Sequence, residues 1–199
     1  MLGSLHAEGL APGDIDAVVF THLHRDHVGW TSNVAPSPTT PSGQVTGLTF
    51  ARARHLVDRA EWDHWNGTAE TTGPDPGAVQ KPLAGVIEFF TGTQILPGLQ
   101  AVPTPGHTPG HTSLLVTDPA TEERLLILGD AMHTQAQVSD THWNFLSDTD
   151  PARSTQHRVD LLDLYQDERT IIAGGHFAGS VFGRFRPATL RSRWATATP

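Results

Sequence analysis

Cysteine is absent from the 199 residues. That excludes disulfides, thiolate-bound zinc and a cysteine nucleophile, and it leaves the redox compartment open. Cationic residues are scarce, 13 Lys and Arg against 21 Asp and Glu, for a net charge of -8. Nucleic acid and anionic membrane surfaces both call for clustered cations, so neither is expected as a partner. No apolar run approaches the length of a membrane span. The first ten residues lack the basic start and apolar stretch of a secretory signal, so the expectation is a cytoplasmic protein. No internal repeat breaks up the sequence, and the length suits a single domain over residues 1–199. Histidine, by contrast, is plentiful: 12 copies are many for this length, and the surplus is the compositional trace of a metal site.

The histidines concentrate in Thr21-His22-Leu23-His24-Arg25-Asp26-His27-Val28-Gly29-Trp30, which packs three of them and an aspartate into six residues. The apolar run Ala17-Val18-Val19-Phe20 before it is read as a short buried strand, so the cluster begins where a strand ends and a loop opens. Alternate residues of an extended segment point the same way. His22 and His24 can therefore share one ion, while the turn after them sends Asp26 and His27 toward another. Neutral imidazoles suit zinc, iron, nickel or copper, and a carboxylate in the same loop adds a harder ligand.

Further along, residues 31–47 are rich in Thr, Ser, Pro and Gly and are read as a loop, either a lid or a disordered connection. Residues 48–57 alternate as a strand. Asp58 caps a helix over residues 59–65, with Glu61 placed to complete a capping box. Residues 83–90 fit a helix or a strand equally. Residues 94–102 read as two strands around Pro97-Gly98, 113–117 and 124–128 as a hairpin, and 170–173 as a buried strand ending at Gly174-Gly175-His176. Those two glycines are expected to let His176 turn inward. Asp150 and Pro151 open the clearest helix, with an apolar stripe of Val159, Leu161, Leu162, Leu164 and Tyr165. Residues 181–186 form the final strand.

Four places thus share one design of strand, loop and metal-type ligand. The strings THLHRDHVGW, TPGHTPGH, LLILGD and AGGH, in that order, resemble the metallo-β-lactamase-fold hydrolase superfamily. The resemblance implies an α/β fold, an αββα four-layer sandwich lacking part of the N-terminal sheet, because only about twenty residues precede the histidine motif. Exposed sheet edges would then invite a homodimer. It further implies two zinc ions, with iron or manganese as alternatives. His22, His24 and His107 would hold one, and Asp26, His27 and His176 the other. Asp130 would bridge them, and His111 would stand behind the ligands. A hydroxide between the ions would attack the substrate, with Asp26 orienting it and carrying a proton to the leaving group.

Within the superfamily the segments GDAMHTQAQV, HWNFLSDTDPARS and AGGHFAGSVFGRF are most similar to N-acyl-homoserine lactonases and methyl-parathion-hydrolase-like enzymes. Trp30 fits that branch. His133 stands where the lactonases usually carry a tyrosine and is expected to donate a hydrogen bond to the substrate carbonyl in its place. The expected substrate is a small-molecule lactone or other carboxylic ester. Alternatives are a phosphotriester or β-lactam, iron-dependent redox chemistry, or an inactive metal-binding module. Trp30, Trp143 and Phe145 are candidates for contacting substrate, while Trp62, Trp65 and Tyr165 are assigned to packing.

Overall fold

Short β-branched and apolar runs make the first sheet. The computed structural model describes residues 1–33, 45, 47–187, 189 and 193–197. The chain divides into two compact units, Met1–Phe90 and Thr91–Pro199. The first unit contains helix α1 (Leu2–Ala7), strands β1 (Ala17–Val19) and β2 (Arg54–Val57), helix α2 (Arg59–Trp65), a π-type turn (Pro76–Gln80) leading into α3 (Lys81–Leu83), and β3 (Ile87–Phe89). The strands form a parallel sheet in the order β1-β2-β3, with Val18 beside His55 and His55 beside Ile87. Parallel strands need long crossovers, and the helical segments α2 and α3 supply the one from β2 to β3. Phe20, Leu23, Val28, Val57, Trp62, Trp65, Val79 and Leu83 make this unit's core, so both tryptophans pack as expected.

Three local expectations change here. The strand over residues 48–57 shrinks to Arg54–Val57, with Leu48 reduced to a single bridge to Ser32. Ala51 and Ala53 carry too little apolar area to hold a longer strand against a core, and the chain turns instead, Ala53 N–H bonding to Phe50 O. Residues 83–90 are shared between the end of α3 and β3. The capping box does not form. Asp58 accepts from Ala60 N–H at 2.7 Å, but Glu61 turns inward and is fully buried.

The second unit is one seven-stranded sheet with helices. Its elements are β4 (Gln94–Leu96), β5 (Leu99–Pro103), β6 (Thr112–Thr117), β7 (Arg124–Ile127), α4 (Ala136–Ser139), α5 (Pro151–Tyr165), β8 (Thr170–Ala173), β9 (Phe182–Phe185) and β10 (Trp194–Thr196). The order is β10-β9-β8-β7-β6-β5-β4. Gly98, with φ 74°, makes the Pro97-Gly98 turn that joins β4 to β5. β5 and β7 each run antiparallel to β6, and β8 runs parallel to β7. The C-terminal ends of β5, β7 and β8 therefore lie at one edge of the sheet, the edge where His107, Asp130 and His176 follow.

Asp150 caps α5 through Arg153 N–H at 3.0 Å, with Pro151 in the first turn. Its buried face is Ser154, Arg158, Leu161, Leu162 and Tyr165, whereas Leu164 is exposed. A helical repeat of 3.6 residues puts 154, 158, 161, 162 and 165 on one side and 164 off it. The strand β10 lies beyond residues 181–186, which the sequence pattern makes the last strand. Its Trp194 lies over Gly183, where a Cβ would sit 2.2 Å from the indole, and edges against Phe177 and Phe185. No helix among the described residues is long and apolar enough to cross a membrane.

Candidate metal centre

In the first unit the histidine loop leaves β1 after Phe20, whose N–H still bonds to Leu56 O. His22 and His24 are buried, their rings 4.8 Å apart and nearly perpendicular. The chain then turns, His27 N–H bonding to His24 O, and this brings the His27 ring to 4.1 Å from His22. Asp26 is largely exposed, with its Oδ2 3.5 Å from His27 Nε2. The Thr21 hydroxyl lies 3.1 Å from His22 Nδ1. Under the loop lies Glu61, whose Oε1 accepts from Leu23 N–H at 2.8 Å and from Trp65 Nε1–H at 2.7 Å. The anchored amide belongs to the residue between His22 and His24, so one buried carboxylate fixes the peptide that aims both. The Trp65 indole edges against His24 at 5.4 Å.

In the second unit His107 follows a glycine that no other residue could replace. Gly106 has φ 144°, and a Cβ there would sit 2.5 Å from Ser154 N in the first turn of α5. His107 is buried, with Nδ1 2.9 Å from Asp148 Oδ1 and Nε2 3.4 Å from Asp130 Oδ2. Burial pulls this imidazole toward neutrality, but hydrogen bonds and charge from Asp130 and Asp148 outweigh it and raise its pKa to about 9. Burial also works on Asp148, upward, yet His107, the Phe145 N–H and Arg158 hold it below the usual carboxylate range. A carboxylate on Nδ1 fixes both the ring orientation and the tautomer that a metal-binding histidine needs.

Asp130 faces two ways. Its Oδ1 lies 3.5 Å from His176 Nε2, and its Oδ2 lies near both His107 and, at 3.1 Å, His133 Nε2. Its backbone is held by a hydrogen-bond chain whose direction can be assigned. Asp130 N–H donates to His111 Nε2 at 2.9 Å, so His111 carries its proton on Nδ1 and donates to Thr104 Oγ1 at 2.9 Å. Thr104 Oγ1 also accepts Ser113 N–H. Its own proton therefore goes to Ser113 Oγ, which donates to Leu128 O at 2.8 Å. His111 thus stands behind Asp130. Of the two glycines before His176, Gly174 is needed because a Cβ there would sit 2.7 Å from the Phe177 ring, while Gly175 faces open space.

His133 stacks on Phe145, rings 3.9 Å apart and 14° from parallel. Its Nδ1 has no hydrogen-bond partner among the described residues. Phe145 therefore belongs beside His133 and, through it, Asp130. Trp143, 58% exposed, is held through its carbonyl, which accepts from Gln137 Nε2 at 2.7 Å. Trp30 is also exposed, in the first unit. Most of the expected lid, residues 34–44 and 46, lies outside the described residues.

Sequence reasoning misses Glu61, Asp148 and Arg158 as supports of these loops. Arg158 leaves a signal, since it interrupts the apolar face of α5 at helical spacing. Asp148 leaves only its nearness to an aromatic loop, and Glu61 is masked by its capping position.

A family model described as the metallo-beta-lactamase superfamily matches residues 1–176. The N-acyl homoserine lactonase AttM of Rhizobium radiobacter is 30% identical over 167 residues, covering 76% of this chain and 55% of that protein. The metallo-beta-lactamase domain-containing protein 1 of Xenopus laevis is 29% identical over 176 residues, covering 88% of this chain and 60% of that one. The chain thus spans little more than half the length of such relatives. Among solved structures, AidC, described as a dizinc quorum-quenching lactonase, superposes with a TM-score of 0.82 at 20% identity, covering 99% of this chain and 69% of that one. The hydrolase AbOPH gives 0.75 at 23% identity, covering 99% and 69%. With the family model matching most of its length and the histidine-aspartate loops standing at the ends of its strands, the chain belongs to the metallo-β-lactamase superfamily and has that superfamily's fold.

Proposed function

We propose that the two units work as one domain, a dinuclear metallohydrolase that opens a lactone or cleaves another carboxylic ester. The observation that carries this reading is the two-sided Asp130, one oxygen toward His176 and the other toward His107. His22, His24 and His107 would hold one ion and Asp26, His27 and His176 the other, with Asp130 shared. The donors fit: imidazoles and carboxylates without thiolates suit zinc first, then iron or manganese. Such ions supply Lewis acidity and a water acidified toward neutral pH.

The chain's own residues do the rest. Asp148 holds the His107 Nδ1–H, so that Nε2, on the Asp130 side, would face an ion that displaces its proton. Asp26, largely exposed beside His27, would carry a proton to the leaving alkoxide. His133, held flat by Phe145, offers an N–H to the ester carbonyl, the task that the resemblance gives to a tyrosine. Phe145, Trp143 and Trp30 offer apolar faces for an acyl chain. The lactonases among the relatives and structural neighbours support an ester-like substrate.

The test is metal content per chain on purified protein, together with hydrolysis of an acyl-homoserine lactone, an aryl ester, a phosphotriester and a β-lactam before and after chelation. About two zinc ions per chain, with lactone or ester turnover that chelation abolishes and zinc restores, is the expected result. A folded protein that takes up no metal sinks the proposal. Turnover of the phosphotriester or the β-lactam alone moves the substrate assignment.

A further inference from the structure

Among the described residues of the second unit the largest fully buried side chain is a cation. Arg158 has no exposed surface, and it comes from the middle of α5, where an apolar residue would complete the helix face. Its Nε donates to Thr141 O at 2.9 Å, its Nη1 to Ala131 O at 3.3 Å, and its Nη2 to Asn144 Oδ1 and to Thr155 Oγ1. Nη1 also lies 3.6 Å from Asp148 Oδ2. Apart from Thr155, every partner belongs to residues 131–148, a stretch whose one regular element is the single turn α4.

This stretch connects the site's parts. Asp148 reaches His107 with one oxygen and takes Phe145 N–H on the other at 3.1 Å. Phe145 carries His133 on its face. Thr149 N–H closes the loop onto His107 O. The tip of the loop holds Trp143, Phe145 and Leu146 outward and exposed. Backbone bonds from Trp143 N–H to Asp140 O and from Asp148 N–H to Phe145 O turn the chain locally. The guanidinium ties these turns to α5, because its planar fork reaches several acceptors at fixed angles, a geometry that an ammonium cannot copy.

We propose that Arg158 is the positioning residue of the second half-site. From the interior of α5 it clamps the loop 141–148, and the loop in turn sets the direction of His107 through Asp148 and the aromatic platform under His133 through Phe145. The metal-facing part rests on the reading of His107 as a ligand. The clamp itself does not.

The test uses the full chain with R158K, R158M and D148N, followed by hydrogen exchange over peptides spanning 141–148 and over β5 to β8, by zinc titration, and by KM and kcat on the ester and lactone panel. R158K and R158M are expected to speed exchange in 141–148 while leaving the sheet protected, and to weaken zinc binding about 10- to 100-fold. Their KM should rise more than their kcat falls, because the apolar platform is lost before the ligands are. D148N is expected to weaken zinc without releasing residues 141–144. Rescue of loop protection by R158K would overturn the clamp, as would unchanged exchange and zinc affinity in folded R158M. If neither Arg158 variant folds, the double variant N144A/T155A takes their place: it removes both acceptors of Nη2, and exchange over 141–148 as slow as in the parent overturns the proposal. If the parent protein binds no zinc, the exchange arm still decides the clamp and only the functional reading fails.

Discussion

The two units solve one problem, holding imidazoles still, by different means. In the first unit the proposed ligands come from a single loop of six residues, and one buried carboxylate, Glu61, fixes it by accepting two neutral N–H donors on one oxygen. In the second unit the proposed ligands come from three strand ends far apart in sequence. There the sheet provides the alignment, and polar networks behind it, Asp148 with Arg158 and His111 with Thr104 and Ser113, provide the aim. A local cluster can be steadied by a single group from the next helix. A dispersed one needs a scaffold, and the scaffold's tolerances are correspondingly tight.

That contrast can be broken most strongly at the glycines. G106A forces a Cβ into the backbone of α5 at a φ that side chains avoid, and strain plus overpacking should cost roughly 4 kcal/mol in urea denaturation. G29A, in the first unit's loop, meets open space and should leave stability within about 0.5 kcal/mol. Equal losses would mean that the second unit is no tighter than the first. E61L comes next. It strands the Leu23 and Trp65 donors, for roughly 3 kcal/mol, and should also weaken zinc binding by calorimetry, whereas W65F removes one donor and should cost less. H111L leaves Asp130 N–H buried without its acceptor, for about 2 kcal/mol, with the zinc loss that Asp130's displacement entails. An H111L protein as stable as the parent would show that the relay is ornamental.

The smallest effect sharpens the comparison by pH. Burial lowers the pKa of His55, which lies inside the first unit's sheet stacked on Phe20. A depressed base contributes stability that is present above its unfolded pKa near 6.5 and is lost as pH falls through the folded value. Thermal melts from pH 7.5 down to 5 should therefore steepen on the acid side, and H55F should flatten the curve. An unchanged slope in H55F would place the acid sensitivity elsewhere.

The loops that carry the proposed ligands were legible in the sequence because strand, turn and histidine follow one another locally, and periodicity with Gly and Pro punctuation marks such junctions. The supports were not, for a physical reason. Glu61 sits at a position where a local rule predicts capping, and only tertiary burial shows that it faces the core. Arg158 reads as polar in a chain that has to be folded before its guanidinium finds acceptors up to 27 residues away. The strand β10 is invisible for the same reason, since Trp194 gains its place from the missing side chain of Gly183. Where the sequence overreached, at residues 48–57, alternation was present without enough apolar surface to use it.

The direction of β6 has a practical consequence. Because it runs back from the ligand edge, the turn between β6 and β7, where Asp118 N–H bonds to Glu123 O, falls at the opposite end of the sheet, and residues 118–123 are exposed. An epitope tag or a fluorophore spliced there adds chain where no ligand loop depends on it. The far end of the sheet is thus the handle by which the molecule can be immobilised or labelled while the end that carries the proposed ligands is left clear.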